Sequence, residues 1–322
     1  MKNWPKVSII ILNWNKYEMS MVCIKSLEKI TYTNYDIIIV DNNSSDNSGE
    51  KLKKDLPNCK VILNTNNEGF ARGANIGIRY ALEKGADYVL LLNNDSIIEE
   101  KSFLEPAIQI AENDNRIGVV SGKIYYQKNP KKIWYAGGYI NLLRGQAIVR
   151  GLFEIDKGQY DKVSEVGFAT GALLLIKREV LGKAGLLPEE YFFGYEEWDY
   201  SLMVRRAGYK LYYVPGFTCY HKSDGSHSNS DPKYIYNSYR NKLIFQQKYL
   251  PPIIWFFWKI FFMFYYKYIA KLRLNKLHGD KADIQDLLIA LKTAIKDHKK
   301  EGIRILTEQD MLKFEAKLNK SK

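Results

Sequence analysis

The chain has 322 residues, of which 46% are apolar and 26% are charged. A chain of this size can bury a full core, so we expect it to fold unaided as one large domain or as one domain with an appendage. Its cysteines, Cys23, Cys59 and Cys219, are odd in number and lack a CxxC spacing, which argues against a disulfide framework and a zinc site. The N-terminal residues also lack the order of a secretory signal. Together these features predict a reducing, cytoplasmic environment.

The net charge of +12 is concentrated near the C-terminus. Residues 233–322 contain 19 Lys and Arg against 8 Asp and Glu, a balance of +11, which leaves +1 for the first 232 residues. This shift, together with the polar segment 228–232, predicts a domain boundary near residue 232. A basic segment can serve nucleic acid or anionic lipid, so the neighbouring residues must decide between them.

Strands and helices are predicted to alternate along the first hundred residues. Buried strands are expected at the apolar runs 7–12, 36–40, 61–63 and 88–92. Helix-compatible segments lie between them at about 18–29, 49–54 and 66–84. This rhythm predicts a parallel sheet built from right-handed crossover units.

Polar side chains stand where these strands end. Asn13, Asp41 and Asp95 are expected at the carboxyl edge of one sheet, where ligands bind in such folds. Arg72, at a glycine-rich helix entry, can reach a phosphate with its guanidinium group. Local alternatives are an Asx turn at 93–95, helix capping by Asp41 and simple solvation of Arg72. The absence of GxxxxGK[ST], and of GxGxxG after the first strand, disfavours P-loop enzymes and dinucleotide-dependent dehydrogenases.

A second group of acidic residues lies about a hundred residues further on. Glu196, Glu197 and Asp199 fall within one helical turn beside several aromatic residues. Partial burial among aromatics raises the pKa of a carboxyl group, which suits a general base. The alternative is an acidic helix start favoured by the helix dipole.

Three motifs in order resemble glycosyltransferase family 2, in particular its rhamnosyltransferase-like and galactofuranosyltransferase-like branch. They are VDNNSSD (40–46), NEGFARGANIG (67–77) and LLNND (91–95). The resemblance covers about residues 6–250. It implies a GT-A fold, which is a Rossmann-like α/β domain with a mostly parallel central sheet, and an inverting reaction that uses a nucleotide-sugar and a divalent cation.

The resemblance also implies the residues of the donor site. Asp41 matches the contact to the base and ribose, and Arg72 and Asn75 match the side of the nucleotide diphosphate. We assign the other polar residues at the same strand ends to the donor site as well, namely Asn13, Asn43 and Asn94. The small residues before a later buried strand match an element that lines the donor pocket, and these are Thr170, Gly171 and Ala172.

Two residues match the metal ligands of the family. Asp95 matches the final Asp of the Asp-x-Asp motif, and Asn93 stands where that motif has its first Asp. His221 follows a strand and resembles the metal-coordinating histidine, although a structural histidine is the simpler alternative. Asp95 and His221, with diphosphate oxygens and water, would hold Mn²⁺ or Mg²⁺.

The resemblance places the catalytic base in the second acidic group. The sequence EEWD (196–199) matches Glu-Asp-x-Asp, with Glu197 at the position of the catalytic Asp. We therefore predict Glu197 as the general base, with Glu196 as the second choice and Asp199 in a structural role. The aromatic and glycine sequence at 134–138 also occurs in the family near the sugar or acceptor, but we predict no role for it.

Residues 253–270 hold ten aromatic residues in 18, with Lys259 in the middle. A central lysine is costly inside a bilayer, so we predict an interfacial helix that lies flat, with residues 253–276 facing anionic lipid. The alternatives are a helix packed on the catalytic domain or in a homodimer, and a single-strand nucleic-acid site, which the acidic site upstream disfavours. Two further helices are predicted at about 283–299 and after 307.

The predicted architecture is thus a GT-A catalytic domain at 1–232 and a basic, helical, membrane-associating appendage at 233–322. Within the domain, residues 1–120 form the nucleotide-sugar half and residues 121–232 the acceptor half. We predict transfer of a sugar from a nucleotide-sugar, dTDP-rhamnose or a UDP-sugar, to a lipid-linked or polysaccharide acceptor in cell-surface glycan synthesis. This would occur at the cytoplasmic face of the membrane. The alternatives are a nucleotidyltransferase and a non-catalytic scaffold that binds a nucleotide-sugar.

Overall fold

A computed structural model describes residues 4–222, 231–265 and 281–319. Contacts between residues divide the chain into two units. The first contains Met1–Ile140, Ala147–Pro188 and Glu196–Asp224. The second contains Asn141–Gln146, Glu189–Tyr195 and the C-terminal residues from 225 onward. The predicted boundary at residue 232 stays a prediction.

The strands belong almost entirely to the first unit. In chain order they are β1 (Val7–Asn13), β2 (Tyr35–Asp41), β3 (Lys60–Leu63), β4 (Tyr88–Leu92), β5 (Ser96–Ile97), β6 (Ile117–Tyr126), β7 (Asn129–Tyr135), β8 (Gly138–Asn141), β9 (Gln146–Val149), β10 (Ser164–Val166), β11 (Leu173–Lys177) and β12 (Lys210–His221).

The helices are distributed over both units. The first unit contains α1 (Tyr17–Leu27), α2 (Ser48–Asp55), α3 (Gly69–Glu83), α4 (Glu105–Asn113), α5 (Arg178–Lys183) and α6 (Glu196–Arg206). The second contains α7 (Pro232–Tyr249), α8 (Pro252–Tyr265), α9 (Lys281–Glu301) and α10 (Glu308–Asn319).

The main sheet has the order β10-β12-β6-β11-β4-β1-β2-β3. Strand β1 runs parallel to β2 and β4, and β2 runs parallel to β3. These strands carry uninterrupted apolar runs because helices cover both faces of a parallel sheet, and Ile9, Ile10 and Ile11 are fully buried. The α/β fold predicted from the sequence is confirmed.

Strand β11 interrupts the parallel arrangement in the centre of the sheet. It runs antiparallel to β4 on one side and to β6 on the other, with Leu173 opposite Leu92. The start of β11 therefore lies beside the end of β4. Asn93 N donates to Ala172 O at 3.2 Å, which extends this pairing beyond the strands.

Strand β12 pairs in parallel with β6 and contains a bulge. Val214 lies opposite Gly122, whereas Thr218 lies opposite Lys123, so residues 215–217 have no partner on β6. A β-carbon at position 122 would overlap the carbonyl oxygen of Phe217. The close approach of the bulge to β6 thus requires glycine at this position.

The second unit has an apolar core between its helices. Leu243 of α7, Leu287 and Leu291 of α9 and Phe314 of α10 are buried within it. The side chain of Arg240 is 1% exposed, and it donates to Glu190 O at 2.9 Å and to Arg304 O at 2.5 Å. The predicted helical C-terminal region is confirmed.

Within the described ranges, every helix is too short or too polar to cross a bilayer. The part of the predicted lipid-facing surface from 266 to 276 lies outside these ranges.

Replacing Gly122 by alanine is expected to destabilise the protein by about 3 kcal/mol or more, because the methyl group must displace backbone. Gly182→Ala is a matched control, since a β-carbon there meets no atom within 4 Å and the residue lies in helix α5. The control is expected to be neutral or to stabilise by up to about 1 kcal/mol. Denaturant unfolding of both variants measures the difference, and equal stability would contradict the role given to the bulge.

Candidate active site

The ends of β1 and β2 form a buried hydrogen-bonded pair. The register places Asn13 opposite Asp41. Asn13 Nδ2 donates to Asp41 Oδ1 at 2.7 Å and to Ser48 Oγ at 2.8 Å, while Ser20 Oγ donates to Asn13 Oδ1 at 2.8 Å. Asn13 is fully buried, so its hydrogen bonds hold the ends of β1 and β2 together inside the protein.

The Asp41 carboxylate organises the loop that follows β2. Its Oδ2 accepts a hydrogen bond from Ser44 N at 2.9 Å, and its Oδ1 accepts one from Ser44 Oγ at 2.6 Å. These contacts turn the chain after β2. The alternative predicted for Asp41 was helix capping, but the N-cap residue of α2 is Asn47. Asn43, in the same loop, is exposed and has a φ of 59°. Contacts of Asp41 and Asn43 with a nucleotide stay predictions.

Helix α3 carries the two residues predicted on the diphosphate side. Arg72 forms an ion pair with Glu68 at 2.7 Å in the first turn and remains partly exposed. Asn75 is fully buried, and its amide bonds to the backbone of Leu187, with Nδ2 donating to O at 2.9 Å and Oδ1 accepting from N at 3.0 Å. The structure therefore gives Asn75 a packing role, whereas Arg72 lies at the accessible helix start.

At the end of β4, Asp95 and His221 come together. Strand β5 pairs antiparallel with the end of β12, so that Ser96 lies opposite His221. Asp95 Oδ1 is 2.9 Å from His221 Nε2, and Asn93 Nδ2 is 3.2 Å from the same nitrogen. Asn94 lies beside this group, and its Nδ2 donates to Ser20 Oγ at 3.0 Å.

The residues present fit a divalent cation that also binds its substrate. Asp95 Oδ1 is buried and accepts no aligned hydrogen bond, although His221 Nε2 is close to it. The two atoms have the spacing of an ion pair, and a carboxylate oxygen and an imidazole nitrogen this close together can also share a divalent cation. Within the described residues there is no cluster of three or more His, Cys, Asp or Glu side chains. Diphosphate oxygens and water would therefore complete the coordination.

Trp134 packs against the histidine of this group. The ring centroids of Trp134 and His221 are 4.9 Å apart, with an interplanar angle of 39°. This contact fixes the imidazole from the side of β7. We predicted no role for residues 134–138. The pattern that could have indicated this contact is an aromatic residue shortly before two glycines.

Glu197 belongs to the first turn of α6, and its side chain contacts the residues that directly precede β11. Its Oε2 accepts hydrogen bonds from the backbone N–H of Gly171 and from Thr170 Oγ at 3.2 Å. Burial raises the pKa of the Glu197 carboxyl, and these two hydrogen bonds oppose the rise. The element predicted to line the donor pocket, Thr170 to Ala172, thus contacts the predicted base directly through Thr170 and Gly171.

Ser201, for which the sequence predicted no role, holds this helix in place. Ser201 Oγ donates to Glu197 O at 2.7 Å and accepts from Ala169 N at 3.2 Å. Glu196 and Asp199 are both buried in the same turn. The half-buried Glu197 is therefore the carboxylate of the three that is more accessible to an acceptor.

An open cleft of about 520 Å³ adjoins Asp95. A cleft of this volume can take a small ligand. Its lining mixes apolar with polar and charged side chains. The charged ones are the cationic Lys16, Lys51 and Lys222 and the acidic Glu18, Asp46 and Asp95.

Several known proteins resemble this chain in sequence. It is 26% identical over 185 residues to dTDP-rhamnosyl transferase RfbF of Shigella flexneri, covering 58% of this chain and 59% of that protein. It is 24% identical over 240 residues to the low-salt glycan biosynthesis hexosyltransferase Agl10 of Haloferax volcanii, covering 74% of each. The match spans about three fifths of the length of RfbF.

Solved structures share the fold. GalNAc-T7 in complex with UDP, GalNAc and Mn²⁺ aligns with a TM-score of 0.62 and 18% identity, over 94% of this chain and 57% of that one. The mannosyltransferase PcManGT of Pyrobaculum calidifontis, in complex with GDP-Man and Mn²⁺, aligns with a TM-score of 0.53 and 15% identity, over 98% and 81%.

The family model described as glycosyl transferase family 2 matches residues 8–185, which is more than half of the chain. This match includes β1 to β4 and the start of β11, and so contains both strand ends of the candidate site. The chain belongs to glycosyl transferase family 2.

Proposed function

We propose that this protein is an inverting, metal-dependent glycosyltransferase. One observation carries the proposal: the backbone of two consecutive residues, Gly171 and Ala172, links the end of β4 beside Asp95 to the predicted base Glu197. Ala172 O accepts from Asn93 N, and Gly171 N donates to Glu197 Oε2. A nucleotide-sugar bound through Asp95 would therefore have Glu197 close to its reacting end.

In the proposed reaction, Glu197 acts as the base. As the acceptor hydroxyl oxygen forms its bond to the anomeric carbon, the carboxylate takes the hydroxyl proton. The bond from that carbon to the diphosphate oxygen breaks, and the leaving nucleoside diphosphate keeps the electron pair. Attack from the side opposite the leaving group inverts the configuration. The raised pKa of the Glu197 carboxyl makes it a stronger base than an exposed glutamate.

Asp95 and His221 would hold the cation, Mn²⁺ or Mg²⁺. When bound, the cation neutralises the negative charge that develops on the leaving diphosphate. Arg72 and the lysines of the cleft can add positive charge at this side. Asn93 supplies an amide where a second carboxylate would stand, so the protein offers one charged ligand fewer.

For the donor we propose a dTDP-sugar or UDP-sugar, with dTDP-rhamnose suggested by the likeness to RfbF. The structural neighbours GalNAc-T7 and PcManGT, in complex with UDP or GDP-Man and with Mn²⁺, support a nucleotide-sugar and a divalent cation. We further propose a lipid-linked or polysaccharide acceptor and a place on the cytoplasmic face of the membrane, in cell-surface glycan synthesis.

Replacing Glu197 by glutamine is expected to lower kcat by about 10²–10⁴-fold, because the amide cannot take the proton. The amide oxygen can still accept the Gly171 N–H, so nucleotide-sugar binding in a thermal-shift titration should be retained. Glu196→Gln is the matched control and should keep most of the activity. Turnover is measured as release of nucleoside diphosphate. Undiminished release by the Glu197 variant would refute the base, and release of pyrophosphate would indicate a nucleotidyltransferase.

The pH dependence should report the same carboxyl group. Glu197 must be ionised to act, so kcat/KM should fall as the pH decreases through its raised pKa, above the usual glutamate range near ~4.3. In Thr170→Val the carboxylate loses one hydrogen-bond donor, so this acid limb should move to higher pH. An unchanged limb in the variant would show that another group controls it.

Metal dependence tests Asp95 and His221 as ligands of the cation. Chelation with EDTA should abolish activity, and Asp95→Asn or His221→Ala should raise the Mn²⁺ concentration for half-maximal activity by about tenfold or more. Asn93→Asp restores a second carboxylate and should lower that concentration. Asp114→Asn, on a partly exposed side chain that pairs with Arg116 at the surface, is the control and should leave the Mn²⁺ requirement unchanged. Full activity in EDTA would rule out the proposed cation, and no activity under any condition would favour a non-catalytic scaffold.

A further inference from the structure

Helix α8 exposes a continuous apolar face. Its side chains recur at helical spacing and each is more than half exposed, namely Ile253, Phe256, Phe257, Ile260, Phe261 and Phe264. At 100° per residue they occupy one side of the helix. We call this set the apolar face of α8.

The opposite side of α8 is the one that packs within its own unit. Phe262 is 4% exposed and stacks on Trp258 with ring centroids 4.9 Å apart, and Trp258 stacks on Trp255 at 5.6 Å. Phe262 belongs to the core of the second unit, and Trp255 and Trp258 are partly buried and pack against that core. The apolar face of α8 is thus additional to what folding of this unit uses.

Six large apolar side chains on one exposed helix face are unusual for a surface that meets only water. Scattered apolar residues are normal on protein surfaces, but here they are contiguous, and four of them are phenylalanines. Such a face indicates a partner that removes it from water.

The charge around α8 identifies that partner. From residue 232 to residue 279 the sequence contains nine Lys and Arg and no Asp or Glu. Lys259, on the helix itself, is exposed beside the apolar face. If the α8 helices of two copies met, this stretch would bring only like charges together. An apolar layer beneath a negatively charged surface complements both properties, and anionic phospholipids provide both.

We propose that the apolar face of α8 inserts into the interfacial layer of an anionic lipid bilayer, with the helix lying parallel to the membrane plane. Helix α8 has 14 residues and a length of roughly 21 Å, short of the ~30 Å hydrocarbon thickness. The inference rests on the proposed function in one respect, because it would keep the enzyme where a lipid-linked acceptor is found.

The test is flotation of the full chain with vesicles of phosphatidylcholine, with or without phosphatidylglycerol. The wild-type protein should float with the phosphatidylglycerol vesicles. The double variant Phe257→Ser/Phe261→Ser should bind about 30-fold more weakly, because it loses two inserting side chains. Leu312→Ser is the matched control, since Leu312 lies on α10 and is 55% exposed. Equal binding by the double variant and the wild type would overturn the proposal.

The charge is tested separately. Lys259→Glu should weaken binding to phosphatidylglycerol vesicles by about fivefold or more and leave binding to phosphatidylcholine unchanged. An equal effect on both kinds of vesicle would contradict the role of anionic lipid.

Two further measurements separate the other outcomes. If the wild type does not float and the double variant changes from dimer to monomer in analytical ultracentrifugation, the face is a homodimer surface and the proposal is wrong. Release of nucleoside diphosphate from a soluble donor without vesicles should be equal in the wild type and the double variant. A wild type that floats but releases none would refute the proposed activity while leaving the membrane surface intact.

Discussion

The antiparallel placement of β11 between β4 and β6 is the constraint on which the candidate site depends. In a wholly parallel sheet every strand ends at the same edge, and only strand ends and the loops after them meet there. Reversing β11 brings the start of a strand to that edge. The backbone of residues 170–172 can then contact the end of β4 on one side and the start of α6 on the other.

The electrostatics of the site follow from this placement. Glu197 is half-buried, and desolvation disfavours its charged form. The Gly171 N–H and the Thr170 hydroxyl offset part of that cost by donating to the same oxygen. Both hydrogen bonds go to Oε2 of Glu197, and Oε1 takes part in neither of them. Asp95 shows the complementary case, since its buried Oδ1 accepts no aligned hydrogen bond and lies 2.9 Å from the imidazole nitrogen of His221.

Much of this fold could be predicted from the sequence, because the patterns that indicate it lie within short stretches of the chain. The apolar runs of β1, β2 and β4 define a parallel sheet, and polar residues at their ends mark its carboxyl edge. The orientation of β11 was not predictable, because an apolar run reads the same in either direction. Nor was the bonding of Asn75 to Leu187, which lies 112 residues away. Trp134 was missed for the same reason, since its partner His221 is distant in sequence. The assigned site residues themselves stay predictions until ligands are bound.

The bulge in β12 has a consequence for how this site can change over evolution. Side chains alternate along a strand, so an odd number of extra residues reverses the face that the later residues present. Residues 215–217 are three unpaired positions, and His221 follows them on the same strand. The bulge therefore sets the parity that directs the imidazole toward Asp95. The loss or gain of a single residue there would turn the histidine to the opposite side of the sheet.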